Sequence, residues 1–122
     1  MKNDKNTTIE ELKRLVQEFC EVRDWDQFHN PKDLAIGIST ESNELLDLFR
    51  FKTEEETNEM FKNKNKTLQI EEELADTLFF VIRFAQKYQI DLCKALVEKM
   101  KKNDENYPVD KIKGKNLKYN EI

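Results

Sequence analysis

The 122-residue sequence has only two glycines and two prolines, so residues that form tight turns or interrupt helices are scarce. It is instead rich in Glu, Lys and Leu, which are favourable in helices. Hydrophobic residues make up 38% of the chain and charged residues another 38%, which suits one globular domain. We predict an all-α bundle of four main helices, a single domain over residues 1–122 with flexible tails at 1–7 and about 109–122.

The sequence also lacks a cysteine framework and a long apolar run. Its two cysteines, Cys20 and Cys93, lie in helical patterns, which indicates reduced thiols and predicts a cytoplasmic protein. The longest apolar run, Leu78–Ile82, is too short to span a bilayer, and the first residues lack the apolar region of a secretory signal. We expect no membrane partner.

Strong positive charge is absent too, because the formal net charge is −4, and no nucleic-acid partner is expected. The charge is nevertheless uneven. Residues 99–122 carry seven lysines and four acids, which is +3, and the remainder is therefore −7. A basic end beside acidic helices suits a polyanionic small molecule bridged through metal, and equally a solvated tail.

Caps and apolar periodicity divide the chain into helical segments. The third main segment is apolar over most of its circumference, which predicts burial in a homo-oligomer. Gly37, inside the second segment, predicts close approach of a neighbouring helix or a ligand. The predicted elements are helices from Thr8 to near Arg23, Asn30 to about Phe51, near Thr67 to about Tyr88 and Asp91 to about Asn106, a short helix from Thr53 to about Phe61, and a mobile loop at Lys62–Lys66.

Two short acidic repeats organise the sequence. Glu41–Glu44 and Glu73–Asp76 each place two carboxylates three residues apart, on one face of a helix and within an apolar stripe. An isolated buried charge is very costly, so these acids must be paired, hydrogen-bonded or bound to metal. Salt bridges to neighbouring helices would explain one such pair. Two pairs of the same spacing favour a divalent metal.

The ligand chemistry narrows the choice of metal. Oxygen ligands select hard cations, chiefly Mg²⁺, with Mn²⁺ as a possible substitute. A di-iron site in a helical bundle needs Glu-x-x-His pairs, and the single histidine lies outside both acidic repeats, so di-iron is disfavoured. We expect the metal to be held by Glu41, Glu44, Glu73 and Asp76, with coordination positions left for water and phosphate oxygens.

The acidic repeats resemble the metal motif of the MazG-like all-α nucleoside triphosphate pyrophosphohydrolases. The resemblance covers most of the chain from about Ile9 and is weakest over Glu54–Lys66. It implies a dimer or tetramer that hydrolyses a (deoxy)nucleoside triphosphate to the monophosphate and pyrophosphate. The segments similar to the dCTP pyrophosphatase branch are Arg23–Pro31, Glu44–Phe49, Glu72–Asp76, Tyr107–Pro108 and Lys118–Glu121.

The resemblance also implies roles for single residues. The four acids would hold Mg²⁺ on the triphosphate, and Glu41 would orient or deprotonate the attacking water. The positions that match phosphate contacts are Lys99, Asn103 and Tyr107. The positions that match the base pocket are Trp25, His29, Phe51 and Phe80.

Structural roles remain open for several of these residues. Trp25 can simply cover the end of the bundle, His29 can cap the second helix, and Lys99 can be a solvent lysine. Phe51 stands where mammalian enzymes of this branch have Trp, and Phe80 stands where they have Tyr. Without the Tyr hydroxyl, position 80 loses a possible hydrogen bond that would favour cytosine.

Asn106 stands where the family often has Arg, so a cation for the phosphates would be missing at this position.

We predict a Mg²⁺-dependent enzyme acting on dCTP or a modified dCTP, assembled as a homotetramer or homodimer. Two alternatives are a catalytically weak helical module that binds nucleotide or protein, and a dUTP or dUDP hydrolase of the same fold.

Overall fold

The structure, a computed structural model, describes all residues 1–122 and contains helices and no strands. The prediction of an all-α protein with four main helices is confirmed by α1, α2, α4 and α5. Short 3₁₀ turns cover Asp26–Phe28, Met60–Lys62 and Tyr119–Glu121. The helices are α1 (Ile9–Glu21), α2 (Pro31–Phe49), α3 (Glu54–Glu59), α4 (Lys64–Lys87), α5 (Leu92–Asn106) and α6 (Val109–Ile112).

The helix starts follow from local capping chemistry. The Asp33 N–H donates to Asn30 Oδ1 at 2.9 Å, and Pro31 occupies the first position of α2, where a missing N–H costs nothing. The Glu11 N–H donates to Thr8 Oγ1 at 3.1 Å, which forms half of a capping box at α1. Both predicted helix starts are therefore confirmed.

The mobile loop predicted at Lys62–Lys66 is wrong. Helix α4 begins at Lys64, and the Lys66 N–H donates to Asn63 Oδ1 at 3.0 Å. The segment has no apolar stripe, which hid the helix, but lysine is a good helix former and asparagine is a strong N-cap. Helix α4 thus extends a turn earlier than its apolar residues indicate.

Residues 1–89 form one compact unit, in which α2 and α1 both pack against α4. Gly37 sits where α2 meets α4, since a Cβ atom there would lie 2.5 Å from ring carbons of Phe80. The predicted close approach of a neighbouring helix at this glycine is confirmed. The buried apolar side chains are Cys20, Leu34, Met60, Ile70, Ile82 and Ala85.

Several apolar side chains of α4 remain exposed within one chain. Leu74 is 51% exposed and Leu78 is 49% exposed. Helix α4 therefore still presents an apolar surface after α1 and α2 have packed against it. No helix of the protein combines the length and the apolar character needed to cross a membrane.

Residues 90–122 form a second compact unit built on α5 and α6. Helix α5 starts at the predicted cap, where the Lys94 N–H donates to Asp91 Oδ1 at 2.9 Å. It ends before Tyr107-Pro108, as predicted from the restriction that proline places on the preceding residue. Neither cysteine is in a disulfide: Cys20 is buried in the first unit, and Cys93 is exposed in the second.

Candidate active site

Packing of α2 against α4 brings acids from both predicted repeats together. Carboxylate oxygens of Glu41, Glu73 and Asp76 lie within 4.8 Å of one another, so they can share one cation. The i, i+3 spacing places Glu73 and Asp76 on the same face of α4, and that face meets Glu41 on α2. The predicted convergence of the two repeats is thus seen for these three residues.

Two of these oxygens are buried and have no hydrogen-bond partner: Oε2 of Glu41 and Oε2 of Glu73. The ion pairs that Lys2, Arg50, Lys62 and Arg83 form all go to acids outside the two repeats. The unpartnered oxygens of Glu41 and Glu73 therefore argue against the salt-bridge explanation. Burial of unpaired carboxylate oxygens is unfavourable without a cation, so the donor set fits a hard divalent metal.

Glu44 lies one turn after Glu41, and its side chain is exposed. It nevertheless interacts with the cluster. Burial raises the pKa of Glu41 from its ordinary value of 4.5 to about 6, and a side-chain hydrogen bond and charge repulsion from Glu44 contribute, followed by Asp76 and Glu73. The pKa of Glu73 is also raised, first by burial and then by Glu44. Mutual repulsion of this kind is relieved by a bound cation.

A cavity of about 570 Å³ opens directly beside the acids. Glu41 and Asp76 form part of its wall, and Trp25 and Phe80, two of the four predicted base-pocket residues, form another part. Its lining is otherwise apolar, which suits a flat ring held next to a charged group. The further lining residues are Leu15, Val16, Phe19, Ala75 and Phe79.

The aromatic side of the cavity is an edge-to-face series of rings. Phe19 contacts Trp25 at 5.6 Å between centroids and Phe79 at 5.9 Å, and Phe79 contacts Phe80 at 5.2 Å. Edge-to-face contacts stabilise the rings by more than the free energy gained from burying them. Phe19 and Phe79 were missed as site residues, because a helical stripe gives no sign of which apolar residue faces a cavity.

The other two predicted base-pocket residues do not line this cavity. Phe51 is 91% exposed, has φ of 64°, and lies under the Arg50 guanidinium, which is 4.7 Å from its ring centroid. His29 is half-buried and accepts a hydrogen bond at Nδ1 from Arg83 Nε at 2.9 Å. The alternative prediction that His29 caps α2 is wrong, because Asn30 is the N-cap residue.

The predicted phosphate-contact residues lie on the second unit. Lys99 is exposed on α5, Asn103 is half-buried one turn later, and the Tyr107 N–H donates to the Asn103 carbonyl at 2.8 Å. The Tyr107 ring lies 6.3 Å from the ring of Tyr119. Lys99 and Asn103 lie one turn apart on α5 and Tyr107 is its C-cap residue, and their contact with phosphate stays a prediction.

The fold and the acid cluster together define an all-helical protein with a carboxylate site that can hold a cation. Residues 36–122 match the MazG-like family, and the chain belongs to that family. This range begins just before Gly37 and includes both acidic repeats.

The names of similar proteins are more specific than the name of the family. The chain is 34% identical to dCTP pyrophosphatase 1 of Rattus norvegicus and 35% identical to that of Bos taurus, in each case over 94% of this chain and 68% of the relative. It is 34% identical to the Homo sapiens protein over the same shares. The crystal structure of a pyrophosphatase from Archaeoglobus fulgidus matches with a TM-score of 0.77 and 32% identity, over 88% of this chain and 99% of that one. The prediction that the chain is a nucleoside triphosphate pyrophosphohydrolase is confirmed by these relatives.

Proposed function

We propose that this protein hydrolyses dCTP or a modified dCTP to the monophosphate and pyrophosphate in a Mg²⁺-dependent reaction. One observation carries the proposal: buried, unpartnered oxygens of Glu41 and Glu73 meet beside an aromatic cavity of about 570 Å³. A nucleoside triphosphate needs both features, a cation site for its phosphates and a flat apolar pocket for its base. The names of the relatives support the choice of dCTP.

The residues that would hold Mg²⁺, or Mn²⁺ in its place, are Glu41, Glu44, Glu73 and Asp76. A bound metal would neutralise charge on the phosphate oxygens and would lower the pKa of a coordinated water. Glu41 is the group proposed to orient the attacking water and accept its proton. Its carboxylate lies within 4.8 Å of those of Glu73 and Asp76, so it would be close to a water held at the same cation.

The base is proposed to lie against the rings of Trp25 and Phe80, with Phe19 and Phe79 behind them. Phe80 provides a stacking face but no hydroxyl, so hydrogen-bond selection of cytosine has to come from other groups. A modified cytosine with an added apolar substituent would fill more of this apolar lining than cytosine itself. Lys99, Asn103 and Tyr107 are proposed to contact the phosphates.

We also propose that the enzyme is a homotetramer, with a homodimer as the alternative assembly. Exposed apolar side chains on α4, Leu74 and Leu78, support this proposal, because a partner helix would remove them from water. Multi-angle light scattering of the wild type tests the subunit number. Leu78→Glu should yield smaller species, whereas Gln69→Glu, which adds the same charge at an exposed position of α4, should not. A monomeric wild type would contradict the proposal.

The proposed location is the cytoplasm, where nucleoside triphosphates are available and free thiols such as Cys20 and Cys93 remain reduced. No nucleic acid or membrane partner is part of the proposal.

The substrate is tested by product analysis with a panel of canonical and modified nucleoside triphosphates in Mg²⁺. The expected result is conversion of cytidine deoxynucleotides to monophosphate and pyrophosphate, with higher kcat/KM for a 5-substituted cytosine. Preference for another base would keep the reaction and overturn the substrate. Binding without release of pyrophosphate from any nucleotide would support the catalytically weak binding module instead.

A further inference from the structure

Arg83 is a buried charge on α4 that the proposed reaction does not use. It is 1% exposed and lies in the apolar run Val81–Ala85. Its guanidinium donates from Nε to His29 Nδ1 at 2.9 Å and from Nη1 to Gln86 Oε1 at 2.5 Å, and Nη2 forms an ion pair with the Asp26 carboxylate. Each branch of the guanidinium therefore has a partner.

The bond to His29 determines where the imidazole carries its proton. Arginine remains protonated in proteins and has no acceptor, so His29 Nδ1 must accept with its lone pair. The ring proton of a neutral His29 then lies on Nε2. Burial, followed by the positive charges of Arg83 and Lys87, lowers the pKa of His29, while Asp26 opposes them, so the neutral ring is favoured.

The same part of α4 also holds the backbone of the segment that carries His29. Lys87 Nζ donates to the Asp26 carbonyl at 2.7 Å and to the His29 carbonyl. Trp25 immediately precedes this segment, lines the cavity, and has its ring 6.3 Å from that of His29. The position of Trp25 is thus coupled to α4, the helix that carries Glu73 and Asp76.

We propose that Arg83 is a positioning residue for the base pocket: it holds His29 as the Nε2–H tautomer, with its ring against Trp25, and so fixes Trp25 in the wall of the cavity. This inference rests on the proposed function for the identity of its ligand. A base that packs against Trp25 would then depend on Arg83 without touching it.

Nitrogen-15 NMR of tag-free protein tests the tautomer directly, since His29 is the only histidine. The wild type should show Nδ1 unprotonated and Nε2 protonated at neutral pH. In Arg83→Leu, the Nδ1–H tautomer should appear and the pKa of His29 should rise, because Asp26 remains and the guanidinium is lost. Lys87→Met, which removes the backbone contacts and the charge of Lys87 but leaves the bond from Arg83 Nε to His29 Nδ1, should preserve the wild-type tautomer. An Nδ1–H ring or an imidazolium in the wild type at neutral pH would overturn the proposal, whatever the variants do.

Steady-state kinetics tests the consequence for the base. Arg83→Leu should raise KM for the preferred nucleotide by about tenfold and change kcat much less, as expected when Trp25 loses its position in the pocket while the catalytic acids keep theirs. In a His29→Ala background the same substitution should have little further effect, because Arg83 acts through His29. Fully additive losses would reduce Arg83 to a structural residue and overturn the proposal.

The two measurements separate this inference from the proposed function. If the wild type hydrolyses no nucleotide, the proposed function fails, and the pocket role inferred for Arg83 fails with it. If hydrolysis occurs but His29 carries its proton on Nδ1, only the role of Arg83 is overturned. If Arg83→Leu does not fold, Arg83→Lys keeps a positive charge near Asp26 and should fold. Lysine cannot replace all the guanidinium donors, so the bond to His29 Nδ1 should still be lost.

Discussion

The ring of Phe80 lies directly against the backbone of Gly37, where a Cβ atom would stand 2.5 Å from two ring carbons and 2.8 Å from a third. Phe80 also lines the cavity, and Glu41 follows Gly37 by about one helical turn. One contact therefore sets both the separation of α2 from α4 and the wall of the proposed base pocket. Because Gly37 has helical backbone angles that any residue can adopt, glycine is required here for its small size and not for its conformational freedom.

Gly37→Ala should consequently destabilise the protein and impair the pocket. Alanine gains up to about 1 kcal/mol over glycine inside a helix, but overpacking a tight contact costs about 1–3 kcal/mol. The ring cannot move away as easily as the end of a flexible side chain, so the overpacking outweighs the gain. We expect a net loss of about 1 kcal/mol in the free energy of unfolding, measured by urea denaturation.

Two further variants check this explanation. Ser39→Ala changes an exposed position of α2 and should be neutral or slightly stabilising. Adding Phe80→Leu to Gly37→Ala should recover part of the lost stability, because the clashing ring is gone. A stabilised Gly37→Ala single variant would contradict the close contact.

Glu73→Gln should change stability in opposite directions with and without metal. In chelator, the substitution removes a charge that is repelled by Glu44 and Asp76, so the melting temperature should rise, on the order of a few degrees. With excess Mg²⁺, the wild type gains stability by binding the ion and the variant gains less, so the order should reverse.

Glu71→Gln serves as the matched control, because Glu71 is an exposed glutamate on the same helix. Its melting temperature should follow that of the wild type in both buffers. If Mg²⁺ raises the melting temperature of Glu73→Gln as much as that of the wild type, Glu73 is not a metal ligand.

The stability of the metal-free protein should depend on the protonation of Glu41. Its folded-state pKa is raised to about 6 from an ordinary value of 4.5, so the folded state binds the proton more tightly than the unfolded state. The stabilising contribution is fully present below about pH 4.5 and is lost as the pH rises through about 6. Relative to Glu41→Gln, the wild type should therefore lose stability between these pH values.

Denaturation in chelator at several pH values measures this difference. Subtracting the Glu41→Gln curve removes groups that titrate identically in both proteins, including Asp26, whose pKa is lowered by its hydrogen bond to Arg83. A difference that stays constant across the range, or grows in favour of the wild type with rising pH, would show that the cluster does not raise the pKa of Glu41.

The sequence was informative wherever a local rule applies. The i, i+3 spacing of the acids and the capping residues Thr8, Asn30 and Asp91 were recognised because each depends on residues that are close in the chain. Gly37 was recognised because glycine inside a helix is unfavourable and needs a packing reason. These features were enough to predict the all-α fold and the acid cluster.

The remainder depends on contacts between distant residues. The start of α4 was missed because its first turn lacks apolar residues. The roles of Phe19 and Phe79 were hidden among equivalent stripe positions, and the ion pair of Arg83 with Asp26 joins residues 57 apart. One signal was available: Arg83 is a lone charge in the run Val81–Ala85, and a buried arginine requires a partner.

The most direct test is pyrophosphate release from dCTP by the wild type, Glu73→Gln and Glu71→Gln, each measured with Mg²⁺ and in chelator. The acid cluster predicts release only with Mg²⁺, at equal rates for the wild type and Glu71→Gln, and a loss of at least about 100-fold in Glu73→Gln. Unchanged release by folded Glu73→Gln, or release by the wild type without a divalent metal, would contradict the assignment of this cluster as the catalytic metal site.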